Sequence, residues 1–395
     1  MLAERYIAQL EETLESMKEE LTAMSRTIWE NPEIGHQEYK ASWMLMDMLR
    51  KNGFQVEEKL EGMDTAFQAV KKSGKPGPVI AFVAEYDALP KIGHACGHNL
   101  FCCSAVGAGI ALSQLLDELG GEIRVIGSPA EEGTVPNYGT KALLVNQGYF
   151  KDVDCAFTAH AEGKTVIERS LAAAMTVEIY FKGVAVHAGG SPEVGRNALT
   201  AGMLCINNMN AIRQQNRPGD VVNSIVKEGG LASNTIPDYC HLEFSLRAKT
   251  AGNLDCVMKN MENCAKAAAL VTGCEYQLEV VKNPMRDTKS NHQLGMVLAE
   301  YLDRLGEPYT QADSQNFAWD VGDISYACPV LGSYFKIGPE EIICHTEPFR
   351  QSANSEEGYR GMMLAAKGMT VCACEYMVNP QLREKAWEEF RQTRC

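Results

Sequence analysis

Long apolar runs are missing from this sequence of 395 residues. No segment reaches the roughly 18 consecutive apolar residues that a membrane-spanning helix needs. Hydrophobic residues make up 45% of the chain and charged residues 22%, and both shares are ordinary for a globular protein. We therefore predict a globular protein without a membrane partner.

An excess of positive charge is also missing. Lys and Arg total 37 against 51 Asp and Glu, so the formal net charge at pH 7 is −14. A protein that binds nucleic acid neutralises phosphates with a basic face, and this sequence has no Lys/Arg cluster that could form one. The composition excludes nucleic acid as a partner and leaves a small acidic substrate possible, because a few local arginines decide what a pocket accepts.

The sequence lacks the apolar core and the cleavage site of a secretory signal. It opens with MLAERYIAQLEETLESMKEE, in which apolar and charged residues alternate at helical spacing. We expect a cytoplasmic protein. Because its 14 cysteines are scattered over a long chain, we expect most of them to be reduced and buried, not joined in a disulfide framework.

The length of the chain and its change of pattern predict two domains. A chain of 395 residues is longer than one core usually supports. Up to about residue 172, β-rich runs alternate with helical segments, which predicts an α/β fold with a mostly parallel sheet flanked by helices. The segment 173–289 follows the order strand, helix, strand, strand, helix, strand, which is an α+β pattern of ferredoxin-like type. We predict that this domain is inserted into an α/β domain formed by residues 1–172 and 290–395.

Metal-ligating side chains follow three successive predicted strands. In an open parallel sheet, ligands bind at the carboxyl ends of the strands. One cluster alone is weak evidence, because a lone histidine or a buried cysteine is common, but three clusters at neighbouring strand ends would converge on one cleft. The clusters are Glu85, Asp87, Cys96 and His98 in VAEYDALPKIGHACGHNLF, Glu131 and Glu132 in GSPAEEG, and His160 in DCAFTAH.

These residue types suit a metal ion. Cys96 and His98 are separated by a glycine, so both side chains can face one point. A thiolate combined with imidazoles and a carboxylate favours Zn²⁺, with Mn²⁺ or Co²⁺ possible where carboxylates are prominent. Neighbouring residues in an extended segment point to opposite sides, so one of Glu131 and Glu132 can bind metal while the other faces the attacking water. This geometry does not rank the two glutamates.

Motifs along nearly the whole chain resemble those of the dinuclear aminoacylase and glutamate-carboxypeptidase family, in its cysteine-type amidohydrolase branch. Within that branch the chain is similar to p-aminobenzoyl-glutamate hydrolases and to Xaa-Arg or β-alanyl-lysine dipeptidases. The motifs are EYDALPKIGHACGHNL, GSPAEEG, KGVAVHAGGSPEVGRNAL, SNTIPD, WDVGDISYACPV and CHTEPF.

The resemblance implies two divalent metal ions per subunit, Zn²⁺ or Mn²⁺, with a water between them. Cys96 matches the bridging ligand. Glu131 matches the general base, and Asp87 matches a carboxylate that orients a ligand. The residues that match the terminal ligands are His98, Glu132, His160 and His345.

The resemblance also assigns residues of the inserted domain, which it implies to be a lid and dimerisation domain. His187 matches a histidine that stabilises the oxyanion of the tetrahedral intermediate, from its own subunit or from the partner. Asn234 and Arg247 match contacts to the substrate, and Arg247 suits a carboxylate. Without the other motifs, His187 and Arg247 would be interpreted as surface residues of strands.

The sequence therefore predicts a homodimeric, metal-dependent amidohydrolase. It would hydrolyse the amide bond of an N-acyl or N-aminoacyl amino acid that has a free carboxylate. Two alternatives remain open: a binding protein without catalysis on the same scaffold, and an exopeptidase for longer peptides.

Overall fold

The computed structural model describes residues 1–281 and 283–393 and divides into two compact units. The first unit contains Met1–Ser170, Thr288–Gln315 and the chain from Asp320 on, and the second contains Leu171–Asp287 and Asn316–Trp319. The described part of the chain contains no helix with the length and apolar character needed to cross a membrane.

The strands are β1 (Gln55–Glu58), β2 (Phe67–Lys72), β3 (Val79–Ala84), β4 (Glu122–Gly127), β5 (Cys155–Glu162), β6 (Val166–Leu171), β7 (Ala173–Lys182), β8 (Val221–Glu228), β9 (Tyr239–Ala248), β10 (Glu275–Val280), β11 (Thr310–Gln315) and β12 (Val330–Lys336). The helices are α1 (Glu4–Glu30), α2 (Tyr39–Lys51), α3 (His98–Ser113), α4 (Leu116–Leu119), α5 (Thr140–Asn146), α6 (Ala198–Ala211), α7 (Ala251–Thr272), α8 (His292–Leu305), α9 (Val321–Ile324), α10 (Glu347–Ser352), α11 (Glu356–Val378) and α12 (Pro380–Gln392). Short 3₁₀ turns lie at Leu60–Gly62, Pro192–Val194 and Ile212–Gln215.

The first unit is built on an eight-stranded sheet of order β1-β2-β4-β3-β5-β12-β6-β11. Its four central strands, β4, β3, β5 and β12, are parallel, whereas β1, β2 and β6 pair antiparallel. Strands β3 and β4 are buried almost throughout, as expected for parallel strands covered on both faces. The predicted α/β class with a mostly parallel sheet is confirmed. The carboxyl ends of β3, β4 and β5 lie at one edge of this sheet.

Helix α3 is the longest fully buried helix among the described residues of this unit. All of its residues are buried, and it packs on β3, β4 and β5 as well as on α1 and α11. Small residues permit this packing: a Cβ at Gly109 would lie 2.5 Å from the Cγ2 atom of Val125 in β4. Because α3 fits closely against the sheet, the position of its first residue, His98, is fixed.

The second unit has the predicted order of strands and helices, β7-α6-β8-β9-α7-β10. Its four strands form an antiparallel sheet of order β10-β7-β9-β8. Alternate residues of β9, such as Leu242 and Phe244, are buried against α6 and α7. The prediction of an inserted α+β domain is confirmed.

One lysine is fully buried in the first unit. Lys141, at the start of α5, lies with its Nζ atom 2.7 Å from Glu85 and 2.5 Å from Asp320. The side chains of all three residues are at most 5% exposed. Burial lowers the pKa of Lys141, but the charges of Asp320 and Glu85 outweigh this effect and raise it. The lysine therefore stays charged and joins the start of α5 to the segment after β3 and to the segment before α9.

Replacement of this lysine tests the network. We expect Lys141→Met to lower the free energy of unfolding by about 3–5 kcal/mol, because two buried carboxylates lose their counter-charge. Urea denaturation measures the loss. Lys18→Met is the matched control, since Lys18 is 52% exposed in its pair with Glu15 and should cost at most about 1 kcal/mol. A loss for Lys141→Met no larger than the control's would contradict a structural role for the network.

Candidate metal centre

The loop after β3 and the first residue of α3 contribute four side chains of the predicted cluster, all of them buried. These residues are Glu85, Asp87, Cys96 and His98. Gly97 has φ of 78°, and a Cβ at this position would lie 2.5 Å from the Cβ atom of Ala161 in β5. Only glycine therefore allows this loop to approach β5 so closely.

Cys96, His98 and His160 come together where the loop meets β5. The Sγ atom of Cys96 lies 3.3 Å from Nε2 of His160. One donor atom from each of the three residues lies within 4.8 Å of the others. The sequence predicted His160 after its strand. The structure places it within β5, because this strand continues to Glu162 in parallel pairing with β12.

Both histidine rings are held by their Nδ1 atoms. Nδ1 of His160 lies 2.8 Å from the carbonyl oxygen of Ala161, and Nδ1 of His98 lies 3.0 Å from the carbonyl oxygen of Asp87. A carbonyl oxygen can only accept, so each Nδ1 carries a hydrogen. This arrangement directs Nε2 of each ring toward the centre of the cluster, as in histidines that bind metals.

Asp87 joins the His98 ring to the next loop. Its Oδ1 atom lies 3.2 Å from Nδ1 of His98, and its Oδ2 atom accepts a hydrogen bond of 2.9 Å from the amide of Glu132. Burial raises the pKa of Asp87, but its contacts with His98 outweigh burial and lower it. The charged carboxylate thus orients one predicted ligand by its ring and another by its backbone.

The loop after β4 has a strained backbone at Ala130, which has φ of 51°. Its amide donates a hydrogen bond of 2.8 Å to Oε1 of the buried Glu38, whose Oε2 accepts one from Thr65. Burial, together with the charge of Asp87, raises the pKa of Glu38 to about 7. Glu38 therefore anchors the residue that precedes the two predicted glutamates.

Glu131 and Glu132 reach two different histidines. Oε2 of Glu131 lies 3.8 Å from Nε2 of His98, whereas Oε2 of Glu132 lies 3.5 Å from Nε2 of His345. The two neighbouring carboxylates therefore contact different histidines.

His345 comes to the cluster from a tight turn before α10. It has φ of 66°, and its amide donates a hydrogen bond of 2.9 Å to the carbonyl oxygen of Ala95. This contact fixes His345 beside the residue that precedes Cys96. The structure thus brings together all seven predicted residues of the first unit: Asp87, Cys96, His98, Glu131, Glu132, His160 and His345.

Negative charge dominates the surroundings of His98. Burial lowers the pKa of His98, but Asp87, Glu85 and Glu132 outweigh this effect and raise it well above the ordinary value. A position that favours a proton on Nε2 favours a divalent cation for the same electrostatic reason.

Glu131 holds a proton more tightly than an exposed glutamate does. Burial and then the negative charges of Glu85, Glu132 and Asp320 raise its pKa well above the ordinary value. A raised pKa improves a carboxylate as a proton acceptor near neutral pH.

Unpartnered atoms indicate that the cluster fits metal ions. Nε2 of His98 and Oε1 of Glu132 are buried, and neither has a hydrogen-bond partner among the described residues. Buried polar atoms normally have a partner, so each exception needs an explanation. Imidazole nitrogen, carboxylate oxygen and thiol sulfur together are donors that divalent transition metals take.

Three features of the cluster were not found by sequence reasoning. Cys344 lies with its Sγ atom 3.6 Å from that of Cys96, and its only signal was its position next to His345. The contacts of Lys141 and of Glu38 had no signal, because a lysine in a helix and a glutamate before one are usually exposed.

The other three predicted residues belong to the second unit. His187 and Asn234 lie on neighbouring loop segments outside the strands: His187 forms an isolated bridge with Thr235, and the Asn234 carbonyl accepts a hydrogen bond of 2.9 Å from Ala188. Arg247 in β9 donates from Nη1 to the Asn316 carbonyl at 3.0 Å. The structure therefore brings His187 and Asn234 together and places Arg247 in the sheet.

Comparison with known proteins relates the whole chain to peptidases. Residues 169–272 match the family model of a peptidase dimerisation domain. The Xaa-Arg dipeptidase of Mus musculus is 31% identical over 96% of this chain and 91% of its own length. One of the polypeptides of p-aminobenzoyl-glutamate hydrolase from Escherichia coli (strain K12) is 26% identical over 97% of this chain and 94% of its own length.

Solved structures share the fold. A dinuclear metal-binding peptidase of the M20 family from Bacillus subtilis has a TM-score of 0.65 at 20% identity, covering 89% of this chain and 98% of its own. An aminobenzoyl-glutamate utilization protein from Klebsiella pneumoniae has a TM-score of 0.70 at 21% identity, covering 93% and 98%. Together with the sequence relatives, the motifs and the fold, these matches establish that the chain belongs to the M20 family of metal-dependent peptidases and amidohydrolases.

Proposed function

We propose that this protein hydrolyses the amide bond of N-acyl or N-aminoacyl amino acids with the help of two divalent cations. The observation that carries the proposal is the cluster of nitrogen, oxygen and sulfur donors around the buried Cys96 and His98, with the carboxylate of Glu131 beside it. The proposed ligands are Cys96, shared by both cations, and His98, Glu132, His160 and His345.

The donor set favours Zn²⁺ or Mn²⁺. When bound, such cations polarise the scissile carbonyl and make a water in the site more acidic. Glu131 takes the proton of the attacking water and delivers it to the leaving amine nitrogen. Its raised pKa supports this role, because the carboxylate must accept the proton before passing it on.

His187 is proposed to donate a hydrogen bond to the carbonyl oxygen of the substrate. The Gly189 amide donates to Nδ1 of His187 at 3.2 Å, so in the neutral ring the hydrogen is on Nε2. The side chain is exposed and offers this N–H to a ligand. A donor of this kind stabilises the negative charge that develops on the oxygen in the transition state.

The proposed substrate has a free carboxylate, for which Arg247 and Asn234 would be the contacts. The Xaa-Arg dipeptidase and the p-aminobenzoyl-glutamate hydrolase are named for substrates that end in an amino acid. A guanidinium group binds a carboxylate through two parallel hydrogen bonds.

We propose that the segment 173–289 is a dimerisation domain and that the protein is a homodimer. The match to a peptidase dimerisation domain supports this, and so does the exposed edge of the four-stranded sheet. In the edge strand β8, Ile225 is 57% exposed and Val226 is 47% exposed. Exposed apolar edge strands pair with other chains unless they are protected.

We also propose a cytoplasmic location. The cysteines of the described residues are free, and most of them are buried. Free thiols in this number are typical of a reducing compartment.

Removal of metal tests the proposed chemistry. Protein treated with a chelator should lose hydrolysis of an N-acyl amino acid panel and regain it with Zn²⁺ or Mn²⁺, because the cations activate both water and carbonyl. Release of the free amino acid is the measurement. Unchanged activity in metal-free protein would contradict the proposal.

Glu131→Gln separates an enzyme from a binding protein. We expect turnover to fall by about 10²- to 10⁴-fold, since the general base is lost, while the metal content by elemental analysis stays that of the wild type. Glu30→Gln, at an exposed position on α1, is the matched control and should leave turnover unchanged. A wild type that binds metal but hydrolyses no amide on the panel would favour the binding protein.

The proposed requirement for a free carboxylate is tested with pairs of substrates that differ only in this group. We expect the wild-type kcat/KM for an N-acyl amino acid to exceed that for its carboxamide by about 10- to 100-fold, because a charged hydrogen-bonded pair is lost. Arg247→Met should abolish this ratio, and Arg213→Met, a control in the same unit, should keep it. Equal rates on both substrates in the wild type would exclude the assignment of Arg247.

A further inference from the structure

The cluster contains a second sulfur that none of the proposed roles uses. The Sγ atom of Cys344 lies 3.6 Å from Sγ of Cys96 and 3.5 Å from the carbonyl oxygen of Ala95. The donor atoms of Cys96, Cys344 and His345 all lie within 4.8 Å of one another. Cys344 is half-buried and lies in the same turn as His345.

A second observation points to a ligand at this position. Glu132 is only 5% exposed, and its Oε1 atom has no hydrogen-bond partner among the described residues. Its other oxygen lies 3.5 Å from Nε2 of His345. Two sulfurs and one imidazole side chain therefore lie within 4.8 Å of one another, and Glu132 adds a carboxylate that contacts the same imidazole.

The turn that carries Cys344 is held rigidly against the loop of Cys96. The amide of His345 and the thiol of Cys344 both contact the carbonyl oxygen of Ala95, the residue before Cys96. Because both segments share this anchor, the two sulfurs do not depend on a mobile loop for their proximity.

Four donors of this composition suit one metal better than others. Zn²⁺ takes tetrahedral sets of cysteine, histidine and carboxylate, whereas Mn²⁺ prefers carboxylate, carbonyl and water oxygens. A second thiolate therefore raises affinity for Zn²⁺ more than affinity for Mn²⁺.

We propose that Cys344 is a further ligand of the cation held by Glu132 and His345, so that this cation has two sulfur ligands and is zinc. The inference rests on the proposed function, since it requires a cation shared at Cys96. It adds the identity of the metal, which the motifs left open between Zn²⁺ and Mn²⁺.

The experiment counts sulfur ligands in the full-length protein. Wild type, Cys344→Ser and the control Cys256→Ser, which removes an exposed thiol, are stripped of metal and reloaded with Zn²⁺ under a phosphine reductant. X-ray absorption at the zinc edge then measures sulfur neighbours per zinc. We expect the count to fall by about a third in Cys344→Ser only, because one of three zinc–sulfur bonds is lost.

Metal affinity gives an independent readout. The affinity of Cys344→Ser for Zn²⁺ should fall at least about 10-fold in chelator competition, with a smaller change for Mn²⁺. Cys344→Asp, which keeps a negative ligand but replaces sulfur by oxygen, should retain both cations and shift the preference toward Mn²⁺. This second variant tests the role even if the serine variant is unstable.

The outcomes separate this inference from the proposed function. If Cys344→Ser keeps the wild-type sulfur count and Zn²⁺ affinity, Cys344 is not a ligand and the two-cation hydrolase is unaffected. If the wild type itself takes up no cation, the proposed function fails and the inference fails with it.

Discussion

The burial of α3 is the constraint on which the metal centre depends. This helix has no exposed residue, and Gly109 allows it to lie directly on the sheet. Because α3 cannot move along the sheet without clashes, its first turn holds His98 at a fixed distance from β5 and from His160. The polar cluster is therefore positioned by apolar packing behind it, which a close-packed core transmits rigidly.

Charge balance is the second requirement of this arrangement. Three buried carboxylates, Glu85, Asp87 and Glu132, and the partly buried Glu131 surround the cluster, and uncompensated buried charge is expensive. Lys141 compensates Glu85 from the side away from His98 through the same network that binds Asp320. Divalent cations would compensate the other carboxylates, so the folded protein has an excess of negative charge that bound metal would neutralise.

Much of the site could be predicted, because its residues follow rules that operate locally. The carboxyl ends of parallel strands meet at one edge, which predicted that the clusters around Glu85 and Glu131 lie together. The succession of strands and helices along the second unit followed from hydrophobic periodicity. Contacts that depend on tertiary packing could not be predicted. Lys141 has the sequence context of an exposed helical lysine, and Cys344 is distinguished only by its distance from Cys96. His160 lies within β5 because pairing with β12 extends that strand.

The contact between Gly97 and Ala161 limits how this chain can vary. One added methyl group would force apart the two segments that carry Cys96 and His160, and a backbone at φ of 78° disfavours any side chain. Substitution at this position is therefore disfavoured, although glycine has no side chain that could take part in the chemistry. The approach of the two segments that carry Cys96 and His160 therefore depends on one position where not even an alanine fits.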